Sequence, residues 1–427
     1  MYVKIGDTVY AEIKNLSFAP ETSIVSDSVP VNQFTADIMT DDVITAGSDI
    51  ELRDDLDQLW AKYWVTFAEH IDQLTVRVRA ESKISILDRK TMPATMYSNT
   101  PVSDILTGIF SDLGSSSYSL DSSFSGATIS GFMGHHSRRY RLQLICFVIG
   151  AYVKTFNTDK IEILPLNTNA VYVPKQKTFW KPSVTYKDWV TAIAIRSFSF
   201  QQGTPTAGDD YVKDDQGVTY IQTSQEITVT NPDAPVTAPP NIVEVEDVQI
   251  INSANVSAIV AHLASVYFGR TVADVDVINN REYEPGQRLL TYGVGKQLVL
   301  GYVESATFSF GVQARSKLHM TPIEVTEAVE LTIKYTWSEL GTKLTVHQET
   351  YLLPKSYQYT IENMYIDLPW QNHRYILRPK DETTTVTLEQ DTTIEMPCYA
   401  ALDEYKNTLT VTSVDEVTLS GTEVDIS

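Results

Sequence analysis

Residues 74–89 read LTVRVRAESKISILDR, and the pattern of residues in this segment indicates the fold class. Apolar residues alternate with polar ones along it: Leu74, Val76, Val78 and Ala80. A period of two residues is typical of a half-buried β-strand. The same alternation occurs upstream, in two further sets: Phe34, Ala36 and Ile38, then Tyr63, Val65 and Phe67. These patterns predict an antiparallel sheet that curls into a barrel or a sandwich.

The apolar pattern changes to a helical period in three later segments. Residues 102–113 carry an apolar stripe along one side, with Thr100 as a candidate N-cap and Gly114 after the last turn. Residues 138–153 and 256–268 show the same spacing and predict a second and a third helix. The first two helices, with a short strand over residues 161–164, indicate a small α/β module between larger β domains, while the third helix is expected to pack on the second barrel.

We therefore predict a mainly β chain with α+β parts, in four domains. Residues 1–90 are expected to form a first antiparallel β-barrel, and residues 91–172 a small α/β domain. Residues 173–325 are expected to form a second barrel, and residues 326–427 a C-terminal domain resembling a β-sandwich. Within the second barrel, residues 201–240 are rich in Pro, Gly, Thr and Asp and predict a long loop.

The formal charge of −21 is unevenly distributed along the chain. Residues 204–248 hold nine acids and one base, and residues 325–427 hold seventeen acids and seven bases. Affinity for duplex DNA depends on Lys and Arg that neutralise phosphates, so tight DNA binding is not expected. An acidic surface of this kind repels polyanions or keeps a protein soluble.

Membrane and export signals are not evident in the sequence. No run of about 18 apolar residues occurs, so no transmembrane helix is expected. The segment after Met1 lacks a charged stretch followed by an apolar one, so we expect no signal peptide and a cytosolic product.

Signatures of catalysis are also not evident. Residues 293–296 (GVGK) resemble part of a phosphate-binding loop, but Leu290 stands where the motif needs its first glycine and Gln297 replaces the hydroxyl residue. A hairpin turn is the favoured interpretation. Cys146 and Cys398 are far apart in sequence and are interpreted as packed core residues.

Acidic and histidine pairs are the remaining candidates for a site. The acidic pairs are Asp41-Asp42, Asp54-Asp55, Asp209-Asp210 and Asp214-Asp215, and the histidine pair is His135-His136. Catalytic carboxylate pairs come from separate strands that face each other, so neighbouring acids favour solvated turns. Neighbouring histidines point in different directions and make a poor metal site. We expect no enzymatic activity, and no catalytic, cofactor-binding or metal-ligating residues.

Three stretches together resemble a known family. The first ends in VRAESKISILDR; the second contains YSNTPVSDILTGIFSDLG and RYRLQLICFVIGAYVKTFNTDKIEILPL; the third contains NVSAIVAHLASVYFGR and REYEPGQRLLTYGVGKQLVLGYVESATFSF. Their order is similar to that of the baseplate hub proteins of contractile-tailed phages, which are related to the VgrG proteins of type VI secretion. The resemblance covers roughly residues 30–325.

This resemblance implies a structural role. Hub subunits carry two barrels similar to the tail-tube protein and form a homotrimer, so that six barrels imitate a hexameric tube ring. Such a ring joins the tail tube to the threefold central spike or tip protein and leaves a channel for DNA. The implied further partners are the tape measure protein and other baseplate subunits. The implied location is the virion tail baseplate, assembled in the host bacterial cytoplasm.

Other functions stay open at this point. The Thr- and Tyr-rich C-terminal region is also typical of a carbohydrate-binding adhesin or receptor-binding tail protein, and a cell-wall hydrolase is a further alternative. For the hub, strand edges and barrel faces are the expected contact surfaces. Four aromatic residues are candidates for a barrel core or a subunit seam, with the core favoured: Phe198, Phe200, Phe308 and Phe310.

Overall fold

The computed structural model describes residues 1–173, 177–180, 182–293, 297–310, 314–339, 343–361, 363–368, 373–380 and 384–403. Over these ranges the chain is mainly β with three α-helices, which confirms the predicted fold class. It divides into two compact units. The first comprises Met1–Leu290 and Leu300–Glu324, and the second comprises Thr291–Val299 and Val325–Ser427. None of the described helices is long and apolar enough to cross a bilayer.

The N-terminal strands of the first unit form one antiparallel sheet. They are β1 (Tyr2–Ile5), β2 (Thr8–Tyr10), β3 (Ile13–Phe18), β4 (Gln33–Met39), β5 (Asp49–Arg53), β6 (Leu59–Asp72) and β7 (Thr75–Glu81). They pair in the order β2–β1–β5–β6–β7–β4–β3. The predicted apolar face is buried at most of its positions: Phe34, Ala36, Ile38, Tyr63, Val65, Val76, Val78 and Ala80.

Two residues of that predicted face are exposed instead. Phe67 is 41% exposed, because the ladder between β6 and β7 shifts register between Val65 and Phe67. A bulge of this kind turns the following side chain to the other side of the sheet. Leu74 is 60% exposed because it lies in the turn between the two strands.

The middle of the first unit mixes short strands with two helices. A 3-10 helix (Lys83–Arg89) leads into β8 (Thr91–Met92), β9 (Thr95–Pro101), α1 (Val102–Ile109), a 3-10 turn (Ser115–Ser117), β10 (Tyr118–Leu120), a 3-10 turn (Ser122–Phe124), β11 (Thr128–Met133), β12 (His136–Ser137), α2 (Arg138–Ile149), β13 (Ala151–Lys154) and β14 (Ile161–Pro165). Strands β10, β14 and β13 form one small sheet, and β9 with β11 another.

Both predicted helices are present, with different ends. Thr100 is not the N-cap of α1, because it belongs to β9 and pairs with Ile129 in β11. The helix also ends four residues earlier than predicted. Helix α2 ends at Ile149 because Gly150 caps it in the left-handed conformation, with φ of +70°. The residues that follow form β13 instead of the predicted last turn.

The remainder of the first unit is again strand-rich. Its elements are β15 (Ala170–Tyr172), β16 (Ser183–Tyr186), β17 (Ala192–Gln202), β18 (Tyr211–Lys213), β19 (Thr219–Thr230), β20 (Ile242–Val245), α3 (Val256–Tyr267), β21 (Thr271–Ile278), β22 (Arg288–Tyr292), β23 (Gln297–Phe310) and β24 (Ala314–Glu339). Parts of the last three strands, residues 291–292, 297–299 and 325–339, belong to the second unit. β21 pairs with β16 on one side and β24 on the other, while β15 pairs with β22. β3 meets β23 where Phe18 pairs with Phe308.

A separate sheet of four strands has the order β18–β19–β17–β20. Its inner face carries Ile193 and Ile195, which belong to the same apolar core as residues of α1, α2 and α3. Helix α3 therefore packs with the other helices and with β17. This arrangement differs from the prediction, which placed the helix on the second barrel.

The prediction of a long loop over residues 201–240 is wrong for much of that range. β19 pairs with β17 from Tyr220 to Thr230, with Ile227 and Val229 packed against the core and Thr228 between them facing outward. Residues 203–210 and 231–241 remain loops, and the second of these loops has a closed base. Asn231 Nδ2 donates to the carbonyl of Val190 at 2.8 Å, and Asn241 Nδ2 donates to that of Trp189 at 2.9 Å. Val236 lies between them and is fully exposed.

The second unit is built from strands. Residues 328–339 of β24 pair with β25 (Lys343–Pro354), and the other strands are β26 (Tyr357–Ile361), β27 (Met364–Leu368), β28 (His373–Pro379), β29 (Thr384–Leu388) and β30 (Thr392–Asp403). β30 pairs with β24 and β28. The core of this unit includes Leu331, Ile333, Tyr335, Leu353, Leu377 and Leu388. The last part of the predicted C-terminal domain, residues 404–427, lies outside the described residues.

Candidate assembly surface

The four phenylalanines singled out from the sequence pack inside the first unit. The ring of Phe308 stacks on Phe18 at 5.5 Å between centroids and is 4% exposed. Phe310 packs edge-on against Trp60 at 5.3 Å. Phe198 is also buried, and its neighbour Phe200 packs against it at 6.4 Å. The core interpretation is therefore confirmed for Phe198 and Phe308, while Phe200 and Phe310 are half-buried.

The interpretation of the two cysteines is also confirmed. Cys146 and Cys398 are both buried, and burial raises the pKa of the Cys398 thiol to about 12, so neither is an accessible thiolate. The hairpin turn predicted for GVGK falls on residues 294–296, which lie outside the described residues. At its two ends, the Gly293 N–H donates to the carbonyl of Gln297 at 2.6 Å.

Most of the acidic pairs stabilise their own turns. Asp54, Asp209 and Asp214 each accept a backbone N–H within four residues, as solvated turn residues do. Asp215 differs, because its Oδ1 lies 2.8 Å from His135 Nε2 and accepts the Ala94 N–H at 3.2 Å. In the part of the chain that the structure describes, no three His, Cys, Asp or Glu side chains converge as metal ligands.

The edge strand β16 presents a surface that no sequence pattern predicted. Its ladder runs along β21 from the pair Ser183–Asp274 to the pair Tyr186–Thr271. Among the described strands, β21 is the one with which it forms a ladder, which leaves the row of backbone N–H and C=O groups on its other side without a described ladder partner. Tyr186 is 67% exposed, and Trp180, just before the strand, is 63% exposed.

Arg270 occupies the centre of this surface. Its guanidinium lies 4.5 Å from the centroid of the Trp189 ring and 5.3 Å from that of the Tyr186 ring. Both contacts have cation–π geometry, which holds the side chain in place without neutralising its charge. Arg270 makes no ion pair with any described residue, and its Nε is buried without a hydrogen-bond partner.

Two lysines extend the positive charge of this surface. Lys177 and Lys187 flank the strand, are exposed, and form no ion pair within the described ranges. We name Lys177, Trp180, β16, Lys187, Trp189 and Arg270 together the basic edge. Trp, Tyr and Arg are the residues most enriched at the energetic centres of protein interfaces. The basic edge is therefore suited to bind a polypeptide that carries negative charge.

Comparison with solved structures finds the same fold in two tail proteins. The tail protein from Neisseria meningitidis MC58 is similar with a TM-score of 0.54 and 11% identity, over 75% of this chain and 95% of that one. The 43 kDa tail protein of prophage MuSo2 from Shewanella oneidensis gives a TM-score of 0.52 and 9% identity, over 75% and 97%. Identities this low establish the fold alone.

A third likeness covers more of the chain but is weaker. A type VI secretion system component from E. coli covers 94% of this chain at 12% identity, with a TM-score of 0.44, and no argument rests on it. No protein-family model and no curated protein matches the sequence.

Proposed function

We propose that this chain is a structural, non-enzymatic hub subunit of a phage-type tail baseplate. In this role three copies form a ring between the hexameric tail tube and the threefold spike, with an axial channel for DNA. The observation that carries the proposal is the fold, which is shared with two tail proteins over three quarters of the chain. We infer the trimeric ring and its partners from the resemblance of residues 30–325 to baseplate hub proteins.

The basic edge supports an assembling role. An unprotected strand edge with exposed aromatic side chains is a liability in a monomer, and proteins usually cover such an edge. A closed ring covers every edge of this kind by repeating one contact. The tail tube protein, the spike or tip protein, the tape measure protein and other baseplate subunits are the further proposed partners.

Light scattering of the purified full-length protein tests the proposal. The expected native mass is three times 47.8 kDa. Electron microscopy of the same sample should then show a ring with a central channel. A persistent monomer would count against the hub and in favour of the adhesin alternative, which a glycan array then tests.

The proposed absence of enzymatic activity has its own test. Purified cell walls incubated with the protein should keep their turbidity. Loss of turbidity that disappears on replacing one acidic residue, in a variant that still folds, would identify a hydrolase and overturn the proposal.

A further inference from the structure

The first unit has a second free edge, with the opposite charge. Strand β6 pairs with β5 only as far as Trp64, with two more backbone hydrogen bonds at Val65. From Thr66 to Asp72 it continues with β7 as its sole described neighbour. We name residues 66–72 the acidic edge. Its other side is unpaired in the described part of the chain, just as the outer side of β16 is.

The composition of the acidic edge complements that of the basic edge. It contains the acids Glu69 and Asp72 and no Lys or Arg, and Asp41 and Asp42 lie in the turn after β4. Two cations of β7 lie beside it, because Arg77 pairs with Glu69 in the ladder and the Arg79 guanidinium is 5.4 Å from the centroid of the Phe67 ring. The four acids outnumber these two cations. Thr40, which precedes that turn, donates its N–H to the carbonyl of Leu74, so this turn lies beside the tip of the β6–β7 hairpin.

Apolar side chains are also exposed on the acidic edge. Phe67 and Ile71 are 41% and 43% exposed, and residues 66–72 contain no proline and no lysine that would protect this edge. The basic edge in turn exposes Trp180 and Tyr186. Two edges that each leave apolar surface in water gain from covering each other.

We propose that the basic edge of one copy pairs with the acidic edge of the next copy, so that β16 extends the sheet beside Thr66–Asp72 of its neighbour. This inference rests on the proposed ring and names its seam. Backbone hydrogen bonds join the two strands, while Lys177, Lys187 and Arg270 face Glu69 and Asp72. Since the two edges are different surfaces of one chain, the contact is head-to-tail, the kind of contact that forms a ring when its rotation closes after three copies.

A second copy accounts for the basic edge better than DNA does. The edge supplies only three cations in a chain of net charge −21, whereas tight duplex binding uses roughly six to ten phosphate contacts. DNA would also leave the free backbone groups of β16 without partners. An added β-strand satisfies these groups and brings carboxylates to Arg270.

Charge reversal on the full-length chain tests the seam. The first variant is Lys177→Glu with Lys187→Glu, and the second is Glu69→Lys with Asp72→Lys; all four positions are exposed. Each variant should raise the dissociation constant of the trimer at least about tenfold, because like charges then face each other. The chain with all four substitutions should regain the trimer, since every seam is again complementary. Controls are Lys160→Glu and Asp104→Lys, exposed positions outside both edges.

Each outcome decides the proposal. Light scattering against protein concentration gives the dissociation constants, and thermal unfolding verifies that the variants fold. If the wild-type chain is a trimer that neither reversal weakens, the seam is wrong while the hub proposal stands. If the wild-type chain never forms a trimer, both fail. The pairing is also overturned if the quadruple variant stays dissociated. It is overturned as well if Lys177→Glu with Lys187→Glu abolishes binding of duplex DNA while the trimer persists.

Discussion

The guanidinium of Arg141 donates to the carbonyl oxygen of Gly134 at 2.9 Å, and the Arg141 side chain is completely buried. It also donates to the hydroxyl of Tyr97 at 2.9 Å and to the carbonyl of Pro93. No described carboxylate forms an ion pair with it, and burial lowers the pKa of Arg141 below its usual value. One side chain on α2 therefore satisfies acceptors from two loops in the interior.

Replacing Arg141 should destabilise the first unit strongly. Arg141→Met fills a similar volume but leaves several buried carbonyl oxygens without a donor, and each such group costs free energy. We expect the free energy of unfolding in urea to fall by roughly 3 kcal/mol. Lys160→Met, at an exposed position, is the control and should stay within about 0.5 kcal/mol of wild type. A loss under about 1 kcal/mol for Arg141→Met would contradict this role.

Gly286 should not tolerate a side chain. It has φ of +89°, and a Cβ there would clash with Cε2 of the buried Tyr152 ring. Gly286→Ala should therefore lower the free energy of unfolding by about 3 kcal/mol, through backbone strain and overpacking together. Gly208→Ala separates the two causes, because Gly208 has φ of +100° with no atom within 4 Å of its added Cβ. Equal losses in the two variants would show that the Tyr152 contact is unimportant.

Glu304 should make stability fall as pH rises above the acid range. Burial raises the pKa of the Glu304 carboxyl above its usual 4.5. The unfolded chain therefore loses this proton first as pH rises, and stability decreases until the folded carboxyl also ionises. Glu304→Gln removes the ionisable group. At pH 7 the variant should therefore unfold at a higher urea concentration than wild type, and at pH 4 this difference should be smaller. Glu12→Gln, at an exposed position, is the control for the effect of replacing Glu with Gln. A difference that does not change with pH would refute the assignment.

Asp215 should hold the β18–β19 hairpin against the α/β core. Asp215→Ala removes the contacts of the carboxylate with His135 and the Ala94 N–H, while the bond from the Asp215 N–H to the Ala94 carbonyl stays. The loss in unfolding free energy should be below about 1 kcal/mol, since these contacts are partly exposed. Limited proteolysis within residues 203–217 should become faster. Asp210→Ala, on the same hairpin, is the control. Equal cleavage rates in the two variants would show that the Asp215 side chain does not hold the hairpin in place.

Local periodicity predicted elements that depend on their own residues. The alternation in β7 and the apolar stripe of α1 each report a buried face, and both elements are present. Periodicity failed where one backbone feature interrupts a continuing apolar pattern. The bulge after Val65 exposes Phe67, and the left-handed Gly150 ends α2 although Ala151–Lys154 remain apolar enough for a further turn.

The candidate surface depended on contacts between distant segments. Arg270 reaches Tyr186 and Trp189 because β16 pairs with β21 at Thr271, and no local pattern reveals that pairing. One signal was available in the sequence. Residues 175–187 contain four lysines and no acid, which is unusual in a chain with a net charge of −21.

The closed base of the loop over residues 231–241 makes that loop a site for protein engineering. Because Asn231 and Asn241 hold its two ends against Val190 and Trp189, added residues at Val236 leave the flanking strands undisturbed. Each doubling of loop length costs only about 0.6 kcal/mol in closure entropy. A foreign epitope or a small reporter domain inserted at Val236 would therefore be displayed in water, with the rest of the fold as its scaffold.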